Sequence, residues 1–177
     1  SRGNNTKKGK IDKEYLFNFL LGKVRKVVDS LDDENEKLKA ICKLLKESIP
    51  YYNWVGFYIA DHSKKELVLG PFAREETEHI RIPFGKGICG QAIERMETFI
   101  VQDVTKETNY LSCSSKVKSE IVVPIFKNKK IVGELDIDSY MQSPFTEEDE
   151  EFLRKVCKIV SGLFINKERL KLAQSRM

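Results

Sequence analysis

The chain reads as an α+β domain in which a central antiparallel sheet carries helices, with helical segments at both ends. Three observations predict this. Apolar residues recur at helical spacing near the start of the chain and again after Thr146. Between these segments lie short runs of aromatic and β-branched residues, separated by polar or glycine-bearing turns. The last two runs, S-E-I-V-V-P-I-F and I-V-G-E-L-D-I-D-S, are joined by K-N-K-K, as in a hairpin. Helices grouped around consecutive strands suit an α+β layer architecture.

Taken in order, residues 1–10 are basic and polar and are expected to form a disordered arm, with a single domain over 11–173. A first helix follows, with Tyr15, Phe19, Val24, Val27 and Val28 on one broad face. The acidic stretch D-S-L-D-D-E-N-E suits the N-terminus of a second helix. That helix carries Leu38, Ile41, Cys42, Leu45 and Ile49 on one stripe, and Pro50 prevents its continuation.

Y-Y-N-W-V-G-F-Y-I-A is the first strand. Alternation places Trp54, Gly56 and Tyr58 on one face and Val55, Phe57 and Ile59 on the other. His62 falls in the polar turn before E-L-V-L-G-P-F and is expected to be solvated. E-H-I-R-I-P is a third strand, followed by F-G-K-G-I-C-G, a short helix Q-A-I-E-R-M-E and the strand T-F-I-V-Q-D-V. After an irregular polar loop come the hairpin strands. P-F-T-E-E-D-E-E-F then opens the last helix, with Thr146 as N-cap and Asp149 three residues on. Leu153, Val156, Cys157, Val160, Leu163 and Phe164 form its apolar face, and a polar helical tail ends the chain.

Charge and composition limit the functional classes. Net charge is +4 over 177 residues, yet residues 1–30 alone carry +5, so the remainder is near neutral. No basic stripe interleaved with aromatics appears on the domain, so no nucleic-acid partner is expected. No apolar run is long enough to span a membrane, and no signal-like segment opens the chain. Four cysteines in a chain of this size do not form a disulfide framework, which fits a cytoplasmic protein.

Cys42 and Cys157 continue helical stripes and read as small buried hydrophobes. Cys89 and Cys113 do not. Cys89 lies at the glycine-rich turn, where helix N-terminal N–H groups favour a thiolate and offer an anion site. Cys113 sits among serines, with Lys116 and Lys118 nearby to favour its thiolate. The competing reading is two inert thiols. His79, Cys89 and Cys113 lack paired-ligand spacing, so no metal is expected.

Three carboxylates stand in apolar runs: Glu120, Asp136 and Asp138. The two aspartates share a strand face and repel unless a proton or cation lies between them. They mark either a binding site for a cationic group or a wet sheet face. Trp54 and Tyr58 form either an aromatic box around a ligand or ordinary core.

N-W-V-G-F-Y, L-V-L-G-P-F, I-R-I-P-F-G-K-G-I-C-G, C-S-S-K-V-K-S-E-I-V-V-P and L-D-I-D-S occur in this order between roughly Tyr52 and Phe152. Together they resemble the free methionine-(R)-sulfoxide reductases, which are GAF domains. The resemblance implies a GAF-like sheet and reduction of free methionine (R)-sulfoxide to methionine. It makes Cys113 the nucleophile that becomes a sulfenic acid. A second cysteine then forms a disulfide that a thioredoxin-type reductant opens. By the same resemblance, Trp54 and Tyr58 hold the methyl-sulfur end, and Glu120, Asp136 and Asp138 face the ammonium and sulfoxide. No cofactor is implied, and the terminal helices could pair in a homodimer.

The sequence departs from the family at one point. Many members carry a third, resolving cysteine where His79 stands here, which implies that Cys89 takes that role through a Cys89–Cys113 disulfide. The alternative class is a non-catalytic GAF module that senses a small molecule or redox state.

Overall fold

The computed structural model describes residues 2–73, 77, 79–111 and 114–164, with side chains from Asp12 onward. Helices α1 (Arg2–Val28) and α2 (Glu34–Ser48) precede strands β1 (Trp54–Asp61), β2 (Glu66–Ala73) and β3 (Arg81–Pro83). Then come α3 (Gly87–Arg95), β4 (Phe99–Val101), β5 (Ser119–Lys127), β6 (Lys130–Ser139) and α4 (Glu147–Val160). This is the predicted order of elements. The six strands form one antiparallel sheet, β3-β2-β1-β6-β5-β4.

The central strands β1 and β6 come from opposite ends of the strand region and join two hairpins. The β5–β6 hairpin turns at Asn128 and Lys129, both left-handed with φ of 52° and 66°. Two positive φ values in a two-residue turn match the right-handed twist of the flanking strands.

The two faces of the sheet differ. Val55, Phe57 and Ile59 of β1, Ile121 and Val123 of β5, and Leu135 and Ile137 of β6 point toward α1, α2 and α4 and form the larger core. Alternate residues point the other way, toward α3, into a smaller core that includes Trp54, Tyr58, Ile88 and Cys89. Strand alternation places a side chain on each face in turn, so both layers are encoded in the same residues.

Helix α2 has the predicted stripe, with Leu38, Ile41, Cys42, Leu45 and Ile49 fully buried. Asp33 caps it, its carboxylate accepting the Glu36 N–H at 2.8 Å. Helix α1 corrects two expectations. It begins at Arg2, where a disordered arm was expected. Extending a helix that already exists gains a hydrogen bond per residue without repeating the costly nucleation step. Its buried face is Phe17, Leu20, Leu21 and Val24, whereas Tyr15 and Phe19 are 75% and 53% exposed. The i, i+3, i+4, i+7 series starting at Phe17 defines a narrower stripe than the one predicted. Phe17 stacks on Phe152 of α4 at 4.4 Å between ring centroids.

Two smaller findings concern β3 and the turn after β1. β3 covers only Arg81–Pro83 of the predicted six-residue strand. His62 is exposed, as expected, and in addition its Nε2–H donates to the Ile131 carbonyl at 2.7 Å and its ring meets Phe84 edge-on. The expected helical tail after Asn166 lies outside the described residues. No described helix is long and apolar enough to cross a membrane.

Asp149 ties α4 to the rest of the helical layer. One carboxylate oxygen accepts from Lys13 Nζ at 2.7 Å and from the Thr146 N–H and hydroxyl at 2.9 and 3.0 Å. The other accepts from the hydroxyls of Tyr51 and Tyr52 at 2.7 and 2.9 Å. Burial and the Asp149 charge raise the pKa of both phenols, which therefore remain neutral donors. Asp149→Ala should cost about 3–5 kcal/mol, because it strands a cation and two buried hydroxyls. Urea unfolding of the variant beside wild type measures the loss.

Candidate active site

The site face is built row by row across three strands. In the first row Trp54 of β1 lies opposite Asp138 of β6, which lies opposite Glu120 of β5. In the second, Gly56 lies opposite Asp136 and Asp136 opposite Val122. In the third, Tyr58 lies opposite Glu134 and Glu134 opposite Pro124. Residues opposite one another in an antiparallel pair share a face, so the register brings all the predicted acids and aromatics together.

Glu134 is a fourth acid on this face and was absent from the predicted set. The signal was present in the same period-two pattern, E-L-D-I-D, two residues before Asp136. All four acids are buried, and Glu134 is 0% exposed. These are therefore not residues of a wet sheet face. Neither Glu134 oxygen, nor Oδ1 of Asp136 or Asp138, has a conventional hydrogen-bond partner among the described residues. The Cys89 thiol, a weak donor, faces Glu134 and Asp136. Asp136 and Asp138 each face Glu120 as well.

Desolvation pushes Glu134 well above the ordinary carboxylate range, with the charge of Asp136 adding to the shift. Desolvation raises Asp138, again helped by Asp136. It also raises Asp136, against opposition from Glu120, Cys89 and the nearby His79. The raised pKa values favour protonation, which relieves the repulsion evident in the sequence and makes a protonated carboxyl a hydrogen-bond donor.

Trp54 can lie on this face because residue 56 is glycine. A Cβ there would come within 2.2 Å of the indole ring. The indole stacks on Phe72 at 6.0 Å and tilts against Tyr58 at 6.4 Å. The Tyr58 hydroxyl donates to the His79 carbonyl at 3.0 Å, which fixes the tyrosine against the segment before β3.

Cys89 is the third residue of α3, inside the helix rather than in a loop, and it is buried. Its Sγ lies 3.9 Å from Glu120 Oε2. The expected thiolate is overturned here. Burial raises the thiol well above its usual range, and Asp136, Glu120, Glu134 and Asp138 raise it further. The partial positive charge of a helix N-terminus is only about half an elementary charge, and four acids oppose it. At the glycine-rich turn, where an anion site was expected, three N–H groups are used internally. Gly87 N–H donates to Asn109 Oδ1 at 2.9 Å, Gly85 to the Gly90 carbonyl and Gly90 to the Lys86 carbonyl.

Cys113 lies outside the described residues. The structure brings together Trp54, Tyr58, Cys89, Glu120, Asp136 and Asp138, and adds Glu134. His79 lines the same small pocket with Tyr58, Cys89, Glu120 and Asp136. One sulfur–oxygen set stands out: ligand atoms of Cys89, Glu120 and Asp136 all lie within 4.8 Å of one another. Sequence spacing could not show this set, because its members come from three separate elements.

A six-stranded antiparallel sheet of this order with helices on both faces is the architecture of a GAF domain, and the GAF domain family model matches residues 33–162. GAF domain-containing protein A of Dictyostelium discoideum is 37% identical over 150 residues, covering 85% of this chain and 93% of that protein. The free methionine-R-sulfoxide reductase of Escherichia coli is 40% identical over 113 residues, covering 64% of this chain and 67% of that protein. The structure of free methionine-R-sulfoxide reductase from Neisseria meningitidis in complex with its substrate superposes with a TM-score of 0.79 at 37% identity. That match covers 89% of this chain and 91% of the other. The chain belongs to the GAF domain family and, within it, to the free methionine-R-sulfoxide reductase family of oxidoreductases.

The raised carboxyls have a consequence for stability. A group with a higher pKa folded than unfolded binds more protons in the native state. Stability therefore falls as pH rises from the unfolded value, about 4 for Asp and Glu, toward the folded value. Wild type should lose stability as the pH rises from 5 to 8. Glu134→Gln should show a shallower decline. Urea midpoints across that range test both statements.

Proposed function

We propose that the chain reduces free methionine (R)-sulfoxide to methionine. The observation that carries this reading is the face on which Trp54 and Tyr58 stand beside three acids of β6 and Glu120 of β5. A free amino acid supplies the cation that these acids lack, and its thioether end suits the aromatic pair. Sequence likeness to reductases named for this substrate supports the same assignment.

In the proposed reaction the Cys113 thiolate attacks the sulfoxide sulfur. A protonated carboxyl of the cluster gives its proton to the sulfoxide oxygen. That oxygen passes to Cys113 as sulfenic acid, and methionine leaves. Cys113 is thereby oxidised by two electrons and the substrate reduced by two. Cys89 then attacks the sulfenic sulfur, which forms the Cys89–Cys113 disulfide and releases water. The low thiolate content of Cys89 requires a base for this step, and Glu120 stands 3.9 Å from its sulfur. A thioredoxin-type dithiol restores both thiols. The aromatics and acids bind and orient, and no cofactor enters.

Turnover of the two sulfoxide epimers, followed with dithiothreitol as reductant, is the direct test. Only the R epimer should be consumed, and Cys113→Ser should lower the rate by roughly 10³-fold or more, as loss of a nucleophile does. An inactive wild type would favour the sensor reading. Asp136→Asn and Asp138→Asn should raise KM about 10- to 100-fold, the loss of one charge-assisted hydrogen bond each. Cys89→Ser should keep a single turnover and fail to form the intramolecular disulfide. Non-reducing peptide mapping after one turnover checks that point.

A further inference from the structure

The geometry points to a thiolate–carboxylate site for a zinc-class divalent cation, with Cys89, Glu120 and Asp136 as its ligands. Three observations place it. The ligand atoms of these residues lie within 4.8 Å of one another. Tetrahedral zinc with sulfur at about 2.3 Å and oxygen at about 2.0 Å needs a sulfur–oxygen separation of roughly 3.5 Å. Cys89 Sγ and Glu120 Oε2 are 3.9 Å apart, so a few tenths of an ångström of side-chain movement completes that edge.

Second, the pocket contains buried oxygens aimed inward without partners. Asp136 is 4% exposed and its Oδ1 has no hydrogen bond among the described residues; the same holds for Oδ1 of Asp138. Leaving such atoms unpaired in low dielectric is costly, and a cation removes that cost. No described lysine or arginine forms an ion pair with Glu134, Asp136 or Asp138.

Third, the donor set selects the ion. A sulfur ligand beside two carboxylates suits zinc, cadmium or cobalt and disfavours calcium and magnesium, which take oxygen alone. The set supplies three ligands, Cys89, Glu120 and Asp136, which leaves the fourth tetrahedral position to water. Binding displaces the Cys89 thiol proton and any carboxyl protons to solvent, and one dication takes their place.

Such an ion would occupy the position assigned to the substrate ammonium and tie up the assigned resolving thiol. It therefore acts as a reversible inhibitor, a consequence that rests on the reductase reading, whereas the binding itself does not. Isothermal titration of the reduced protein with zinc should give one site, at least tenfold weaker in Cys89→Ser and in Asp136→Asn and unchanged in Cys157→Ser. Cobalt added to wild type should give a thiolate-to-metal charge-transfer band that disappears in Cys89→Ser. Absence of stoichiometric zinc binding overturns the site, as does a cobalt band that survives in Cys89→Ser. A chelator should restore the activity of zinc-treated enzyme. A wild type that binds zinc at this site yet never turns over supports the site and defeats the reductase reading. An active wild type that binds no zinc defeats the site alone.

Discussion

The burial of four carboxylates on one face of the sheet is the constraint around which this protein is arranged. Each would be far better hydrated in water, and each is held below α3 by the backbone hydrogen bonds of β5 and β6. Strands cannot rotate a single side chain to the opposite face without slipping register, and a slip would expose the hydrophobic partners Leu135 and Ile137. The larger core on the far side therefore enforces the position of the acids. Local instability on one face is tolerated because the other face is densely apolar.

That division runs through the whole molecule. The helical layer supplies cohesion through the α2 stripe, the Phe17–Phe152 stack and the Asp149 hub. The opposite layer is short-stranded, glycine-bearing and polar inside. Gly56 gives up a side chain so that Trp54 can lie flat, and Asn109 spends its amide on holding the G-K-G turn. The proposed active site lies on the polar face of the sheet, opposite the helical core.

The chemistry of Cys89 follows from the same burial. A thiol among acids is a poor spontaneous nucleophile, which protects it from casual oxidation. It becomes useful once a neighbour takes its proton, and the nearest assigned neighbour is a carboxylate. The surroundings that keep the thiol neutral also make a compact sulfur–oxygen ligand set. The proposed redox partner and the proposed metal ligand would be two uses of one geometry, separated by whether a sulfenic sulfur or a cation approaches.

Much of this was legible in the residues. The α2 stripe, the alternation of β1 and β6, the hairpin and the cap of α4 are local patterns, fixed by periods of 3.6 and 2 and by short-range hydrogen bonds. The period of two put Trp54 with Tyr58 and Asp136 with Asp138, and placed Glu134 with the aspartates; the register between strands joined the acids to the aromatics. Other features depended on contacts between segments distant in the chain. The buried side of α1 was set by Phe152, the role of His62 by the Ile131 carbonyl, and the protonation of Cys89 by acids from β5 and β6. By itself the sequence determined which elements form and which residues share a face, because those are properties of neighbours along the chain. Only the tertiary structure decided burial and charge state, because desolvation and Coulomb interactions depend on distance in space.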